Sequence, residues 1–254
     1  MRKNLTKEKI LQGKVAYGVF VPLYAPVVVE MLGHIGFDFA IIDAEHSPLD
    51  PLACENMVRA VETTNMTPLI RVAENVRQNI LRYLDVGAQG VQLPMVNSRA
   101  EAEAVVEAVK YPPEGRRGLA GVRAANYGLT GPLGDYVKEA NRETLVIVQI
   151  ETLQAVEKVK EICATKGADV IFVGPTDLSS VMGYPGQTAH PEVLKMVSYL
   201  AKEIRSAGKA AGTIAYDLDA LKRCKELGFQ YIAYSVGPML AKSGREYLKA
   251  AREG

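Results

Sequence analysis

The chain has 254 residues, 48% of them hydrophobic and 23% charged, with a net charge of +1. This suits one globular domain with a sizeable core and argues against a nucleic-acid surface or an acidic tail. No run approaches the roughly 18 apolar residues of a membrane span, and Met1-Arg2-Lys3 leads into polar residues rather than a signal peptide. A cytoplasmic protein without nucleic-acid or membrane partners is expected.

Strand and helix patterns alternate over residues 1–254 with no linker, low-complexity tract or residue-level repeat, so a single domain is expected. Residues 15–23 read as the first strand. Residues 26–32 read as a helix stopped by Gly33 and Gly36, with His34 as a helix-end histidine rather than a ligand. Residues 39–43 form the second strand, part of a hydrophobic run that ends in Asp43-Ala44-Glu45-His46-Ser47-Pro48. A helix over 49–63, a strand over 67–72 and a helix over 76–86 closed by Gly87 follow. The fourth strand spans 90–96, and Ser98 caps a helix running to Val109. Residues 111–136 break the rhythm with Pro112, Pro113, Arg116, Arg117, Arg123 and several glycines. A loop of that length suggests a lid or binding loop, the alternative being a solvated insertion or subunit contact. The fifth strand is 145–150, followed by a helix over 153–163. The sixth is 169–173, with Gly174-Pro175-Thr176-Asp177 leaving it and an irregular stretch over 178–190. A helix over 191–207, a strand over 209–215, a helix over 218–227, a strand over 231–236 and a helix over 239–252 complete the chain. Eight strand–helix units predict an α/β fold, a (β/α)₈ barrel. Cys54, Cys163 and Cys224 fall in separate helical segments at wide spacing, as reduced structural thiols do.

In such a barrel the carboxyl ends of the strands carry the chemistry. Those ends hold Asp43, Glu45, His46, Arg71, Gln149, Glu151 and Asp177, with Asp85 near the end of the third helix. Gln149 and Glu151 are two apart and so face the same way along a strand. Glu151 and Asp177 end neighbouring strands, and two carboxylates with water suit an oxygen-preferring cation such as Mg2+ or Mn2+, with Co2+ a further candidate. The plainer readings are a helix N-terminal carboxylate for Glu151, a turn aspartate for Asp177 and solvated loop residues for Asp43, Glu45 and His46. Arg71 ends an apolar strand, where it can hold a carboxylate or stabilise an oxyanion, or form a structural ion pair. No lysine stands at a strand's carboxyl end, which disfavours a Schiff base, and no glycine-rich nucleotide motif occurs. A metal, an arginine and a histidine together suggest an enolate formed from a 2-oxo acid.

The chain resembles the metal-dependent pyruvate aldolases typified by 4-hydroxy-2-oxoheptanedioate aldolase and 2-dehydro-3-deoxyglucarate aldolase. The matching stretches are Gly36-Phe37-Asp38 through His46, Ile70-Arg71-Val72, Leu84-Asp85-Val86-Gly87-Ala88, Tyr111-Pro112-Pro113 with Arg117-Gly118, Val148-Gln149-Ile150-Glu151, and Val173 to Leu178 followed by Gly183-Tyr184-Pro185-Gly186 and His190-Pro191. The resemblance implies that Glu151 and Asp177 bind the metal, that Arg71 contacts the keto oxygen, and that His46 is the acid/base, through a water and oriented by Asp85. It implies that Asp43 lies beside the substrate or behind the residues that touch it, that Gln149 touches pyruvate, and that the amides of Thr176 and Asp177 hold its carboxylate. The implied reaction is reversible cleavage of a 4-hydroxy-2-oxo acid into pyruvate and an aldehyde, in a homo-oligomer, a hexamer built as a trimer of dimers, that exchanges its last helix. A related carbon–carbon lyase or synthase acting on oxaloacetate or a thioester, like the siderophore citrate synthase or macrophomate synthase, is the alternative. Thr176 stands where alanine is frequent in the relatives, the loop holding Arg116, Arg117 and Arg123 is richer in arginine and could bind an acidic acceptor or a second carboxylate or form a subunit contact, and Thr213-Ile214-Ala215 would line the acceptor pocket.

Overall fold

The structure is a computed structural model and describes residues 1–253. Eight parallel strands close into a barrel in chain order. They are β1 (Ala16–Val21), β2 (Phe39–Asp43), β3 (Thr67–Arg71), β4 (Gly90–Leu93), β5 (Leu145–Ile150), β6 (Val170–Val173), β7 (Ala210–Ile214) and β8 (Tyr231–Ser235). The helices are α1 (Leu5–Leu11), α2 (Pro26–Ile35), α3 (Pro51–Glu62), α4 (Arg77–Asp85), α5 (Arg99–Val109), α6 (Leu133–Glu143), α7 (Leu153–Glu157), α8 (Val159–Cys163), α9 (Pro175–Val181), α10 (Pro191–Ser206), α11 (Leu218–Glu226) and α12 (Val236–Glu253). The expected (β/α)₈ barrel is present. Among the described residues no helix is long and apolar enough to cross a membrane.

Strand parity divides the core into two layers. Even-numbered residues of β1 and odd-numbered residues of β2 and β3 point into the barrel, where Phe20, Phe39, Ile41 and Leu69 meet Ile147, Phe172 and Tyr231. The alternate residues, among them Ile42, Ile70, Val91, Val148 and Ile171, pack outward on helix residues such as Met57, Val58, Ile80 and Leu200. The Phe39 and Tyr231 rings stack at 4.0 Å and 11°, and Phe172 meets Tyr231 edge-on at 6.1 Å. Gly18 makes room for that stack, because a Cβ there would lie 2.1 Å from the Phe39 ring. The aromatic floor closes the barrel centre and leaves only the strand ends above it open.

Four local expectations change. Helix α1 is too short to show a periodicity in sequence; Asn4 caps it by accepting from the Lys7 amide, and Ile10 joins the barrel interior from the N-terminal side. Strand β4 ends at Leu93, because Met95 takes a left-handed φ of 55°. The helix expected over 153–163 is two short ones, α7 and α8. The irregular stretch over 178–190 begins inside α9, which Pro175 starts from its first turn.

The loop expected as a lid or binding loop is anchored on the barrel side by a few residues, most of the others being exposed, and ends in α6. Arg117 is buried over the Tyr111 ring and donates to Asp85 at 2.8 Å. Arg123 donates to the Val86 carbonyl at 2.8 Å and pairs with Glu62, while Arg116 lies exposed beside Glu107. Helices return antiparallel to the strands they follow, so this loop and the end of α4 lie at the N-terminal face of the barrel. None of the three arginines lines the cavity at the opposite face.

Lys110 is buried in the same region and donates to the carbonyls of Asn141 (2.6 Å) and Thr144 (2.9 Å). Burial, helped by the Lys7 ammonium, pushes its amine down from 10.5 to about 8. The folded chain therefore binds fewer protons than the unfolded chain between those values, and stability from this group rises with pH across the window. Comparison with Lys110→Met by urea unfolding at both ends of that window should show the wild-type advantage growing from about pH 8 to pH 10.5.

Candidate active site

The turn after β2 is built by Asp43. Its Oδ1 accepts from the amides of Glu45 (3.2 Å) and His46 (3.3 Å), and the Ser47 hydroxyl donates back to the Asp43 carbonyl. An aspartate that gathers the amides two and three residues on makes a tight turn without glycine. Strand register then places Asp43 beside Arg71 of β3, both pointing inward. The Arg71 Nε and Nη2 donate to the two Asp43 oxygens at 2.9 and 2.6 Å, a planar bidentate pair. The guanidinium also lies 4.8 Å over the Phe20 ring, and its Nη1 is 3.2 Å from Glu45. Burial opposes the Arg71 charge, but the hydrogen bonds and charge of Asp43, with Glu45 and Glu151, hold it above its usual value. Asp43 is 3% exposed and Arg71 9%, so this charge is fixed in place.

A second inward line crosses β4 and β5. Gln92 donates through Nε2 to Gln149 Oε1, and Gln149 donates through Nε2 to Glu151 Oε2, each at 2.5 Å. The other Glu151 oxygen accepts from the Met95 amide at 2.8 Å, which accounts for the left-handed turn there. Burial pushes the Glu151 carboxyl up; the Gln149 and Met95 hydrogen bonds oppose this, and the charges of Asp177 and Glu45 add to it. Gly174 at the end of β6 leaves the space in front of it, since a Cβ would come within 2.6 Å of Glu151 Oε2.

Asp177 and Thr176 occupy the first turn of α9, where no protein group takes either backbone amide among the described residues. Beyond α9, Gly183 and Gly186 turn with positive φ, and His190 caps α10 while stacking on Tyr184 at 3.6 Å.

These elements surround an open cavity of about 400 Å3, lined by Phe20, Pro22, Asp43, His46, Arg71, Gln149, Phe172, Gly174, Pro175, Thr176, Asp177, Ile214, Tyr216, Ser235 and Pro238. His46, Arg71, Asp43, Gln149, Thr176 and Asp177 thus converge, with Glu151 bonded directly behind Gln149. The His46 ring is 61% exposed, and its Nε2 is 3.7 Å from Glu45. Burial pushes the Glu45 carboxyl up, against the charges of Arg71 and His46. The sequence pattern gives Glu45 no role of its own, although it lies between Asp43 and His46.

Asp85 is not brought in. It ends α4 at the opposite face and pairs with Arg117, with no contact to His46 within the described chain. Parity on β7, whose even-numbered residues point inward, also corrects the expected acceptor wall: Ile214 faces the cavity, whereas Thr213 turns outward to donate to the Val173 carbonyl and Ala215 joins the outer core. Tyr216, two beyond Ile214, was missed; the period of two that paired Gln149 with Glu151 would have found it.

Among the described residues no three His, Cys, Asp or Glu side chains form a ready-made cage. Glu151 and Asp177 nevertheless fit a cation that keeps most of its shell for water and substrate: Glu151 is 2% exposed, like-charged neighbours crowd it, and the missing Gly174 side chain leaves it open.

Comparison with known proteins is consistent over the whole length. The family model described as HpcH/HpaI aldolase/citrate lyase matches residues 16–241. A pyruvate aldolase of Rhizobium etli is 35% identical over 248 residues, covering 97% of this chain and 96% of the relative. A hydroxypyruvate/pyruvate aldolase of Pseudomonas aeruginosa is 35% identical over 244 residues, covering 96% and 91%. The crystal structure of an HpcH/HpaI aldolase/citrate lyase family protein from Burkholderia cenocepacia superposes with a TM-score of 0.93 at 32% identity, over 98% of this chain and 100% of that one.

Proposed function

The chain belongs to the HpcH/HpaI aldolase/citrate lyase family and is a lyase of the aldolase kind, and from that premise we propose that it reversibly cleaves a 4-hydroxy-2-oxo acid into pyruvate and an aldehyde, with a divalent cation. The observation that carries this reading is the convergence of a clamped arginine, a histidine and carboxylates on one cavity above the barrel floor. Nothing in the cavity singles out the synthase alternative.

Glu151 and Asp177 would hold Mg2+, Mn2+ or Co2+, whose charge would draw electrons toward the keto oxygen of the 2-oxo acid and acidify its methyl protons. Arg71 presents a positive charge, fixed by Asp43 before substrate arrives, to the oxygen that becomes negative when C3 loses a proton. Asp43 thus acts from behind, since Arg71 and the turn amides engage its oxygens. Gln92 sets the Gln149 amide against Glu151, leaving the second Gln149 N–H for the 2-oxo acid. The amides of Thr176 and Asp177 hold the substrate carboxylate. His46 moves the proton through a water at the cavity mouth, and Glu45 stabilises the charge the ring gains.

Exchange of the pyruvate methyl protons in D2O, followed by NMR with a chelator and then with added Mg2+ or Mn2+, tests this reading. Exchange that appears with metal is expected; its absence in both conditions would sink the aldolase assignment. In the same assay His46→Ala should slow exchange on the order of 10²–10⁴-fold, while calorimetry shows unchanged metal binding. An unaltered exchange rate would remove His46 as the base.

The last helix supports a homo-oligomer. Only Val236 of α12 is buried, Leu240, Tyr247 and Leu248 are exposed, and an apolar cleft of about 720 Å3 bordered by Phe37, Leu218, Leu221 and Met239 separates the helix from the barrel. We propose that neighbouring subunits exchange α12 across this cleft in a hexamer. Sedimentation should give six times the 27.6 kDa chain mass, falling in a Leu240→Asp, Leu248→Asp variant; a monomeric wild type would rule the exchange out.

A further inference from the structure

The uncharged wall of the cavity is apolar, formed largely by Phe20, Pro22, Phe172 and Ile214. Three side-chain hydroxyls interrupt it, those of Thr176, Tyr216 and Ser235, and the first two are paired. Thr176 Oγ1 and Tyr216 Oη lie 2.6 Å apart, linking the first turn of α9 to the segment after β7. Two hydroxyls carry two protons, and the bond between them uses one. The pair therefore offers an incoming molecule one O–H donor together with unused lone pairs. Burial pushes the Tyr216 phenol above its ordinary value, so it stays protonated and able to donate at neutral pH.

The pair also marks where the cavity ends. Pro175, Ile214 and Tyr216 line both the cavity and an adjoining cleft of about 330 Å3 between α10 and α11, whose farther walls include Leu194 and Val197. Tyr216, with Pro175 and Ile214, forms the partition between the two spaces, and it is bonded to Thr176. The pyruvate half of the reaction uses charged groups, backbone amides and the Gln149 side-chain amide. Neither hydroxyl has a part in it.

We propose that the Thr176–Tyr216 hydroxyl pair is the acceptor-recognition element of this site, selecting aldehydes that carry a hydroxyl group over plain alkyl aldehydes of similar size. This rests on the aldolase reading above. A hydroxylated acceptor satisfies the spare donor and lone pairs of the two side chains, whereas an alkyl acceptor displaces water from them and returns no hydrogen bond. At a half-open mouth this difference amounts to roughly tenfold.

The test uses the full-length protein with pyruvate and added Mg2+ or Mn2+, and compares kcat/KM for glycolaldehyde with that for acetaldehyde, which differ by one hydroxyl. Taking the ratio within each variant cancels any change in the enolisation step common to both acceptors. Tyr216→Phe and Thr176→Val should each lower the glycolaldehyde-to-acetaldehyde ratio about tenfold, and Thr176→Ser, which keeps the hydroxyl, should restore it. Tyr216→Ala opens the partition and should raise kcat/KM for hexanal relative to acetaldehyde. Thr176 is exposed on the surface of α9, so Thr176→Val reads the proposal even where a Tyr216 variant folds poorly. Ratios unchanged in both Tyr216→Phe and Thr176→Val would overturn the assignment while leaving the aldolase reading intact. A wild-type protein without metal-dependent pyruvate exchange would overturn both.

Discussion

Glu151→Gln is expected to abolish metal-dependent proton exchange from pyruvate while leaving the fold intact. Removing one of two carboxylate donors loses several kcal/mol of charge stabilisation, a fall on the order of 10³-fold or more. The fold should survive because glutamine is nearly isosteric and the neighbouring amides can adapt. Glu151 accepts from Gln149 Nε2, Gln149 accepts from Gln92 Nε2, and Gln92 Oε1 has no partner. With glutamine at 151, both neighbours can flip in concert: Gln149 turns its oxygen to the new amide, and its nitrogen donates to the free Gln92 oxygen. The Met95 amide keeps its acceptor throughout. Unfolding free energy should therefore stay within about 1 kcal/mol of wild type, whereas Glu151→Ala, which strands two donors, should cost more. Asp177→Asn, exposed on α9, should match the loss of activity without touching stability. Full exchange by either variant in the presence of a chelator would take both residues out of a metal site.

The second large effect falls on stability. Asp43→Ala leaves the Arg71 guanidinium buried without its bidentate partner and removes the acceptor for two turn amides. Breaking a buried pair on one side costs about 3–5 kcal/mol, because the remaining charge stays out of water. Glu45, 3.2 Å from Nη1, offsets part of that. Urea denaturation should place Asp43→Ala in this range. Arg71→Met alone should cost less, and the double variant should be more stable than Asp43→Ala, since the stranded charge is gone. All three should lack pyruvate exchange. A loss below about 1 kcal/mol for Asp43→Ala would mean that the clamp is not what holds Arg71.

What could be read in sequence was what repeats locally. The alternation of strand and helix signals is set by residues a few positions apart, and eight such units leave a barrel as the natural closure. Parity within one strand is equally local, which is why the spacing of Gln149 and Glu151 alone assigns them to one face. The turn chemistry of Asp43 through Ser47 follows from short-range hydrogen bonds, so the cluster announced itself.

The tertiary structure decided what depends on register and direction. Asp43 meets Arg71 because β2 and β3 pair with those two residues side by side, a relation that spans 28 positions and that neither strand encodes alone. Asp85 sits close to a strand in sequence, yet it ends a helix, and helices run back to the far face; Arg117 is its partner for that reason. The arginine-rich loop reads as a lid or binding loop from its length, but the anchoring of Arg117 on α4 and Arg123 on α3 is a matter of packing that length does not carry. The Thr176–Tyr216 contact joins segments 40 residues apart, and it exists only because β6 and β7 are neighbours whose ends open on the same cavity. Local chemistry named most of the groups at the strand ends, and barrel closure determined which of them meet.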